Sequence, residues 1–381
     1  MTKIYNIHMI TLHEVTTNKD LKAFIKFPFD IYKDSKYWVP PIISQEMKTF
    51  DKKENPVFKD AEARLFLAYK NNEIVGRIAA IINWLEVNDQ SIKKMRFGWF
   101  DFIDDLEVSK ILLKKVNDIG KEKKLDYVEG PIGFSNLDKV GVMTEGYESI
   151  APMVTWYNHP YYVKHYEAAG FKIEKEYSES KFPFKNVKPE FFKKAQELIK
   201  RRYQLTALKF TKTSEVMPYV DKMFDLFNDS YASLSSFVAV NDIQKAYFKK
   251  KFISFVNPEY IKFVVDKNDK LVGFAIVMPA FASALQKMNG KLFPFGFRHI
   301  LHAKKHSKDV IFYLIGIHPD YQNKGVHAVI FNEYYETFAE KGIQTCFRTP
   351  ELEDNHAIHQ IWKHFQPEVY KRRKTYKKDI V

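Results

Sequence analysis

The chain has 381 residues, more than one core serves comfortably, since single cores stop growing near ~250 to 300 residues. A content of 45% hydrophobic and 16% aromatic residues excludes a disordered chain, and a lone cysteine, Cys346, excludes an internal disulfide or a cysteine-rich zinc site. Sixty Lys and Arg against 47 Asp and Glu give +13, which favours anionic partners such as coenzyme phosphates, nucleic acid or an acidic lipid surface.

The opening, MTKIYNIHMITLHEV, lacks the charged-then-apolar order of a secretory signal. The longest apolar window, 271–285, contains Pro279 and falls short of the ~20 residues of a spanning helix. With no disulfide pair, a reducing, cytoplasmic setting is expected.

Residues 66–81, FLAYKNNEIVGRIAAI, read as two β-rich runs around a polar turn, a β-hairpin. A strand, MRFGWFDFID, and an amphipathic helix, SKILLKKVNDIGKEKK, follow. Asn158 then reads as the N-cap of a helix running into HYEAAGF, because its side-chain oxygen suits the first free N–H groups. A connecting helix over 186–203 carries Pro189 where a first-turn proline is tolerated. After it the order returns: hairpin 263–278, FVVDKNDKLVGFAIVM; strand VIFYLIGIHP; helix VHAVIFNEYYETFAEK; and Asn355 opening a last helix. Phe66, Lys70, Asn71, Val75 and Gly76 fall on Phe263, Lys267, Asn268, Val272 and Gly273, and the same offset of 197 carries Asn158 onto Asn355. The spacing predicts two copies of one α/β unit with a boundary near 180 to 190.

The helix beginning at Val326 has the most pointed chemistry. The first four N–H groups of a helix lack internal acceptors and the macrodipole makes that end positive, so a phosphate fits there. Gly325 lets the backbone come close, and Lys324 adds a full charge.

Hairpin, strand, helix, strand and short capped helix, in that order, resemble the GNAT (acyl-CoA N-acyltransferase) superfamily. There a Q/R-x-x-G-x-G/A turn takes the coenzyme pyrophosphate on its amides; this chain reads Gln322-Asn323-Lys324-Gly325-Val326-His327. The family's last small residue is His327 here, which either crowds the pyrophosphate or turns outward with Ala328 in the small position. The resemblance implies an α/β (α+β) architecture of two tandem GNAT folds, each a mixed, mainly antiparallel sheet flanked by helices. Residues 1–185 would form a degenerate N-terminal copy, and 186–381 a C-terminal copy holding the coenzyme site. It also implies that Ile315, Ile317 and Asn355 join the turn in binding a coenzyme A thioester, acetyl-CoA or a longer acyl-CoA, as cosubstrate with an amine acceptor.

A second family pattern ends in a tyrosine near the coenzyme sulfur. In the C-terminal copy Asn355, Ile358 and Ile361 lead instead to Trp362, and an indole is no acid. The N-terminal copy keeps Tyr166, Gly170 and Phe171, yet its turn carries Asp104, Asp105 and Glu107 with no glycine, and carboxylates repel a pyrophosphate. Tyr166 therefore reads either as a proton donor or as a core aromatic. The strand before the phosphate turn has no internal carboxylate, so a base comes from Glu351, Asp354, His318, Asp138 or Glu145, all of which also read as solvated loop charges, or from water. Tyr313 and Tyr321 are further donors or buried rings. His356, His359 and His364 share a short helix, but no third ligand is identifiable and no metal is assigned.

Residues 279–308 stand where the first copy has a much shorter link, and alternate Phe, Leu and Met with Lys and Arg. Three readings stand: an anionic lipid interface, giving peripheral attachment at the inner membrane face; a lid over a long apolar ligand; and a helical hairpin packed on its own domain. Over nearly its full length, through DIYKDSKYWVPPI, NPVFKDAEARLFLA, GRIAAIIN, NGKLFPFG and YKRRKTYKKDI, the chain is similar to bacterial tandem-GNAT proteins, some implicated as ceramide synthases. That implies a long-chain acyl donor and a lipid (sphingoid) amine. The rival is a catalytically inactive fold that binds coenzyme or lipid without turnover. A nucleic-acid reading rests on YKRRKTYKK, whose alternation equally fits a last strand with its basic side solvated; no groove-reading motif accompanies it, and no nucleic-acid partner is expected.

Overall fold

A computed structural model describes residues 9–135, 137–234, 237–252 and 256–381; the first eight residues of the opening segment lie outside these. The chain divides into two compact units: Met1–Tyr177 with Asn289–Leu292 and Lys371–Val381, and Ser178–Met288 with Phe293–Tyr370. Residues 371–381, which a boundary near 185 gives to the C-terminal copy, thus complete the first unit.

The elements of the first half are β1 (Thr11–Glu14), α1 (Asn18–Ile31), α2 (Ile43–Thr49), β2 (Ala61–Lys70), β3 (Glu73–Asn83), α3 (Trp84–Asn88), β4 (Lys94–Phe102), α4 (Leu106–Glu122), β5 (Tyr127–Gly130), β6 (Val142–Glu145), α5 (Tyr162–Ala168) and β7 (Lys172–Pro183). Then come α6 (Pro189–Tyr203), β8 (Thr206–Leu208), α7 (Thr213–Val216), α8 (Val220–Tyr231), α9 (Asp242–Phe252), β9 (Ile261–Val265), β10 (Leu271–Pro279), α10 (Ala282–Met288) and α11 (Gly296–His306). The chain ends with β11 (Asp309–Ile317), α12 (Val326–Lys341), β12 (Thr345–Arg348), β13 (Glu351–Leu352), α13 (His356–Trp362) and β14 (Glu368–Asp379).

In the first unit the sheet runs β1-β2-β3-β4-β5-β14, with β6 on β14. One face is covered by α4, whose Val108, Leu112, Val116 and Ile119 recur at helical spacing and pack on Phe66, Ile78 and Phe97. Phe24 and Ile25 of α1 cover the other, against Leu67, Ala79 and Trp99. Each such side chain, fully buried, contributes about 1.5 to 3 kcal/mol. A Cβ on Gly76 of β3 would stand 2.8 Å from Leu112 and 2.9 Å from Val108, so glycine there lets the helix seat on the sheet.

A charged cluster lies inside this unit. Lys94 Nζ is 3.0 Å from Glu86 and 3.1 Å from Glu129, and Arg96 grips Glu86 with two N–H donors at 2.6 and 2.7 Å. All four residues are buried, and their mutual pairing offsets a desolvation cost of several kcal/mol per ion.

Two expectations fail here. Asn158 caps no helix: α5 starts at Tyr162, and the Asn158 amide instead accepts from the Met143 N–H at 2.7 Å and donates to the Met143 carbonyl at 3.1 Å. It mimics a strand partner for β6, a use that its position before a helical pattern conceals. Nor is the basic side of β14 solvated. Lys371 and Arg373 are buried, donating to the Ile150 and Gly141 carbonyls at 2.8 and 3.3 Å, while Arg372 and Lys374 face Glu145 and Glu176 at 3.4 and 2.6 Å. These cations are occupied within the fold.

In the second unit the order is β8-β9-β10-β11-β12, followed by the end of β7, whose Lys181, Phe182 and Pro183 pair with β12. Helix α12 buries Val326, Val329, Ile330, Phe331, Tyr334 and Phe338, because it lies between α6 and the strands β9 and β10. Gly273 repeats the role of Gly76: a Cβ there would meet Val326 at 2.9 Å and Ile330 at 3.4 Å. Asn355 does cap its helix, accepting from the Ile358 amide at 3.2 Å. Among the described pairings each sheet is antiparallel but for one parallel pair, β4 with β5 and β11 with β12. The chain forms the expected α/β architecture of mixed, mainly antiparallel sheets flanked by helices.

Candidate active site

Both parallel pairs come apart along their length. In the second unit β11 stays with β12 only as far as Phe312 and Arg348, then continues to Ile317 beside β10 alone. A register shift opposite Ile276 and Val277 leaves Tyr313 as the extra residue of a bulge, which bends the strand away from β12. In the first unit β4 leaves β5 after Arg96 and Glu129, with a register shift around Trp99, whose φ is 45°. Each unit therefore holds a wedge between two strands, with a long helix starting beyond it.

The two helix heads differ. At the head of α12, His318 accepts from the Asp320 amide at 3.2 Å, and Gln322 donates through its side chain to the Ile317 carbonyl at 3.3 Å. The loop passes through left-handed conformations at Asn323 (φ 60°) and Gly325 (φ 78°). No side chain caps the helix and no acid sits in its first turn. The Ala328 amide turns back to the Gly325 carbonyl at 2.8 Å; among the described residues the amides of Gly325, Val326 and His327 have no acceptor. The left-handed φ at Gly325 favours glycine, and a Cβ there would push aside the end of the Ile199 side chain of α6, 2.6 Å away. Lys324 is exposed, its ammonium 5.1 Å from the Tyr321 ring and 5.5 Å from that of Tyr203.

His327 lies edge-on to Phe331, one turn along the helix, with centroids 6.3 Å apart. Burial, and then the charge of nearby His364, push its pKa below the usual value, so near neutral pH it is a largely uncharged ring packed on α12. Asp320, the last carboxylate before the phosphate turn, is 3.5 Å from His318.

The head of α4 is closed. Asp105 is its N-cap, accepting from the Glu107 amide at 2.9 Å and holding Lys70 at 2.8 Å, and Asp104 reaches His165 at 2.9 Å. Further along β4, Asp101 is filled by Arg77 at 2.8 Å, Tyr32 at 2.7 Å and Tyr162 at 3.2 Å. A cavity lined by Trp99, Asp101, Asn158, Tyr162 and Tyr166 encloses about 20 Å³, room for one water and not for an acyl chain.

The candidate acids and bases are dispersed. Tyr166 is buried and stacked on Tyr376 at 4.6 Å; among the described residues its hydroxyl has no hydrogen-bond partner, and burial holds its pKa well above the ordinary value. Glu145 is exposed on β6 beside Arg372, and Asp138 closes a turn by accepting from the Ser135 amide at 2.9 Å. In the second unit Glu351 pairs with Arg348 and stands 3.9 Å from His359, while Asp354 and His356 are exposed. Tyr321 donates to Asp266 at 3.3 Å. What the structure does bring together is the run from Ile315 to His327 at the end of β11 and the head of α12.

Two residues at the wedge escape the sequence reading. Tyr231, from α8, donates to the Ile315 carbonyl at 3.0 Å, on the stretch of β11 that has left β12. Arg348, at the point of separation, stacks on the Trp362 ring at 4.8 Å, and Trp362 itself is enclosed by Phe312, Phe331 and Phe365. Neither lies in a motif; the basic residue just before the TPELEDN loop was the one available signal for Arg348.

No family model matches the chain. Protein YghO of Escherichia coli (strain K12) is 24% identical over 372 residues, 95% of this chain and 93% of that protein. A bacterial ceramide synthase of Caulobacter vibrioides (strain NA1000 / CB15N) is 25% identical over 298 residues, 75% of this chain and 74% of that protein. Among solved structures, the chain is similar to a tandem GNAT protein from the clavulanic acid biosynthesis pathway, with a TM-score of 0.59 and 9% identity over 98% of this chain and 99% of that one. A GCN5-related N-acetyltransferase from Sphaerobacter thermophilus gives 0.52 and 8%, over 97% and 96%.

Proposed function

From a chain that is two GNAT folds in tandem, we propose that the C-terminal unit binds a coenzyme A thioester and passes its acyl group to an amine. The observation carrying this reading is the open head of α12: amides of Gly325, Val326 and His327 without acceptors, beside Lys324 and beyond a splayed strand. A diphosphate would take those donors and neutralise part of the helix dipole. The capped head of α4 supports assigning the coenzyme to one unit alone.

In the reaction the amine nitrogen attacks the thioester carbonyl carbon, the new C–N bond forms and the C–S bond breaks. The nitrogen loses one proton and the departing thiolate gains one. With Asp309 the one carboxylate of β11, at its end remote from the phosphate turn, and Glu351 engaged by Arg348, water is the carrier we assign for the proton. The Caulobacter relative named a bacterial ceramide synthase supports a narrower version, a fatty acyl donor and a lipid amine.

A second reading, coenzyme or lipid binding without turnover, is favoured by Trp362, whose buried indole N–H has no partner among the described residues and which stands where the family carries a tyrosine. One assay separates them. Coenzyme A binding is measured by calorimetry, and thiol release from acetyl- and palmitoyl-CoA is followed with and without a sphingoid amine, the amide product being identified by mass spectrometry. Binding with amine-dependent thiol release supports transfer, binding alone supports the second reading, and no binding at millimolar coenzyme removes transfer and leaves of the second reading only lipid binding.

A further inference from the structure

Residues 279–308 contain no Asp or Glu, although 47 acids in 381 residues would place between three and four in a stretch of that length. They leave β10 at Pro279 and return to β11 at Asp309, the end of that strand pair remote from the phosphate turn. Helix α10 buries Ala284, Leu285 and Met288, but among the residues of α11 only Ile300 is buried. Its opposite stripe, Arg298, Leu301, His302 and Lys305 at i, i+3, i+4 and i+7, is exposed throughout.

Just before α11 stand Phe293 and Phe295, exposed by 73% and 64%, where among the described residues the next most exposed phenylalanine, Phe191, reaches 48%. Leu301 is exposed by 58%. Arg298 lies over the Phe295 ring at 5.2 Å, so the apolar group is bordered by a cation. The carbonyl of Lys304 accepts from the Asn257 side chain at 3.0 Å, which anchors the far side of the helix.

We propose that this face, Phe293, Phe295 and Leu301 with Arg298 and Lys305, docks the C-terminal unit on an anionic lipid bilayer. The aromatic rings and leucine enter the headgroup and acyl boundary while the cations meet lipid phosphates, a division of labour suited to an interfacial helix. Charge selects the partner: a stripe with cations and no acid is complementary to a negative surface and repels a second copy of itself. The docking stands independently of acyl transfer.

The test is flotation of the full chain with vesicles of phosphatidylcholine alone and of phosphatidylcholine mixed with phosphatidylglycerol. Binding is expected to the anionic vesicles, weakening as salt rises from about 0.1 to about 1 M, where the Debye length falls from ~10 to ~3 Å. Arg298→Gln with Lys305→Gln is expected to lower partitioning about fivefold per charge. Phe293→Ser with Phe295→Ser is expected to lower it about tenfold or more and to leave the residual binding salt-sensitive. All four side chains are exposed, so the melting temperature and the coenzyme affinity measured without vesicles should not change. Equal binding to both vesicle types, unaltered binding in both double variants, or self-association that the Phe variants abolish in a chain that ignores vesicles would each overturn the proposal.

Discussion

Asp105 accepts the Glu107 amide at 2.9 Å, so the head of α4 is filled by its own chain, whereas at the equivalent place on α12 stands Gly325 with nothing to offer. An anion at the first head would displace a carboxylate; at the second it meets free donors. Replacing Lys324 by Glu should weaken coenzyme A binding about tenfold or more in calorimetry, without shifting the melting temperature, because the side chain is exposed. Asp105→Ala should cost about 1 kcal/mol in urea unfolding, the usual worth of an N-cap, and leave coenzyme affinity unchanged.

Tyr166→Phe removes a hydroxyl that is buried without a partner, and so should leave stability unchanged or raise it by up to about 1 kcal/mol. Because that hydroxyl is enclosed against Tyr376 in the first unit, amine-dependent thiol release should also stay within a factor of about two. A loss of about a hundredfold at unchanged stability would instead assign Tyr166 the proton.

Lys262 on β9 donates to Thr337 at 2.8 Å, and its pKa is lowered to about 8, by burial first and against the pull of Glu333. The protonated form is thus disfavoured in the fold, and between pH 8 and 10.5 the unfolded chain binds more protons than the folded one. Stability due to this group must rise with pH across that window, by up to about 3 kcal/mol, and the whole cost is present below pH 8. Lys262→Met should be more stable than the parent near pH 7, and the difference should shrink as pH approaches 10.5 in denaturant titrations.

Glu86 is the counter-charge of both Lys94 and Arg96. Glu86→Ala strands Arg96 in the core of the first unit, leaves Lys94 with Glu129 alone, and should cost about 3 to 5 kcal/mol. Replacing Glu86 and Arg96 together by apolar residues, which leaves Lys94 paired with Glu129, should recover most of that loss, measured by the urea midpoint, since the stranded charge rather than the missing bond is the damage.

The hairpins, helix 326–341 with its glycine, and the Asn355 cap were legible in the amino-acid sequence because each rests on residues within about a turn or one hairpin of one another, and the repeat because such local patterns recur at one offset. That Gly76 and Gly273 seat the long helices on their sheets came from the structure alone. The tertiary structure alone decided what Asn158 bonds, since Met143 lies fifteen residues away, and that Lys371 and Arg373 are buried, since their partners Ile150 and Gly141 lie more than two hundred residues upstream. It also decided that His327 turns along its helix toward Phe331, that Tyr231 meets Ile315, and that Phe293 and Phe295 stay uncovered. Period and capping are local properties of a chain, whereas the face a side chain presents, and the partner it finds there, depend on segments that only folding brings near.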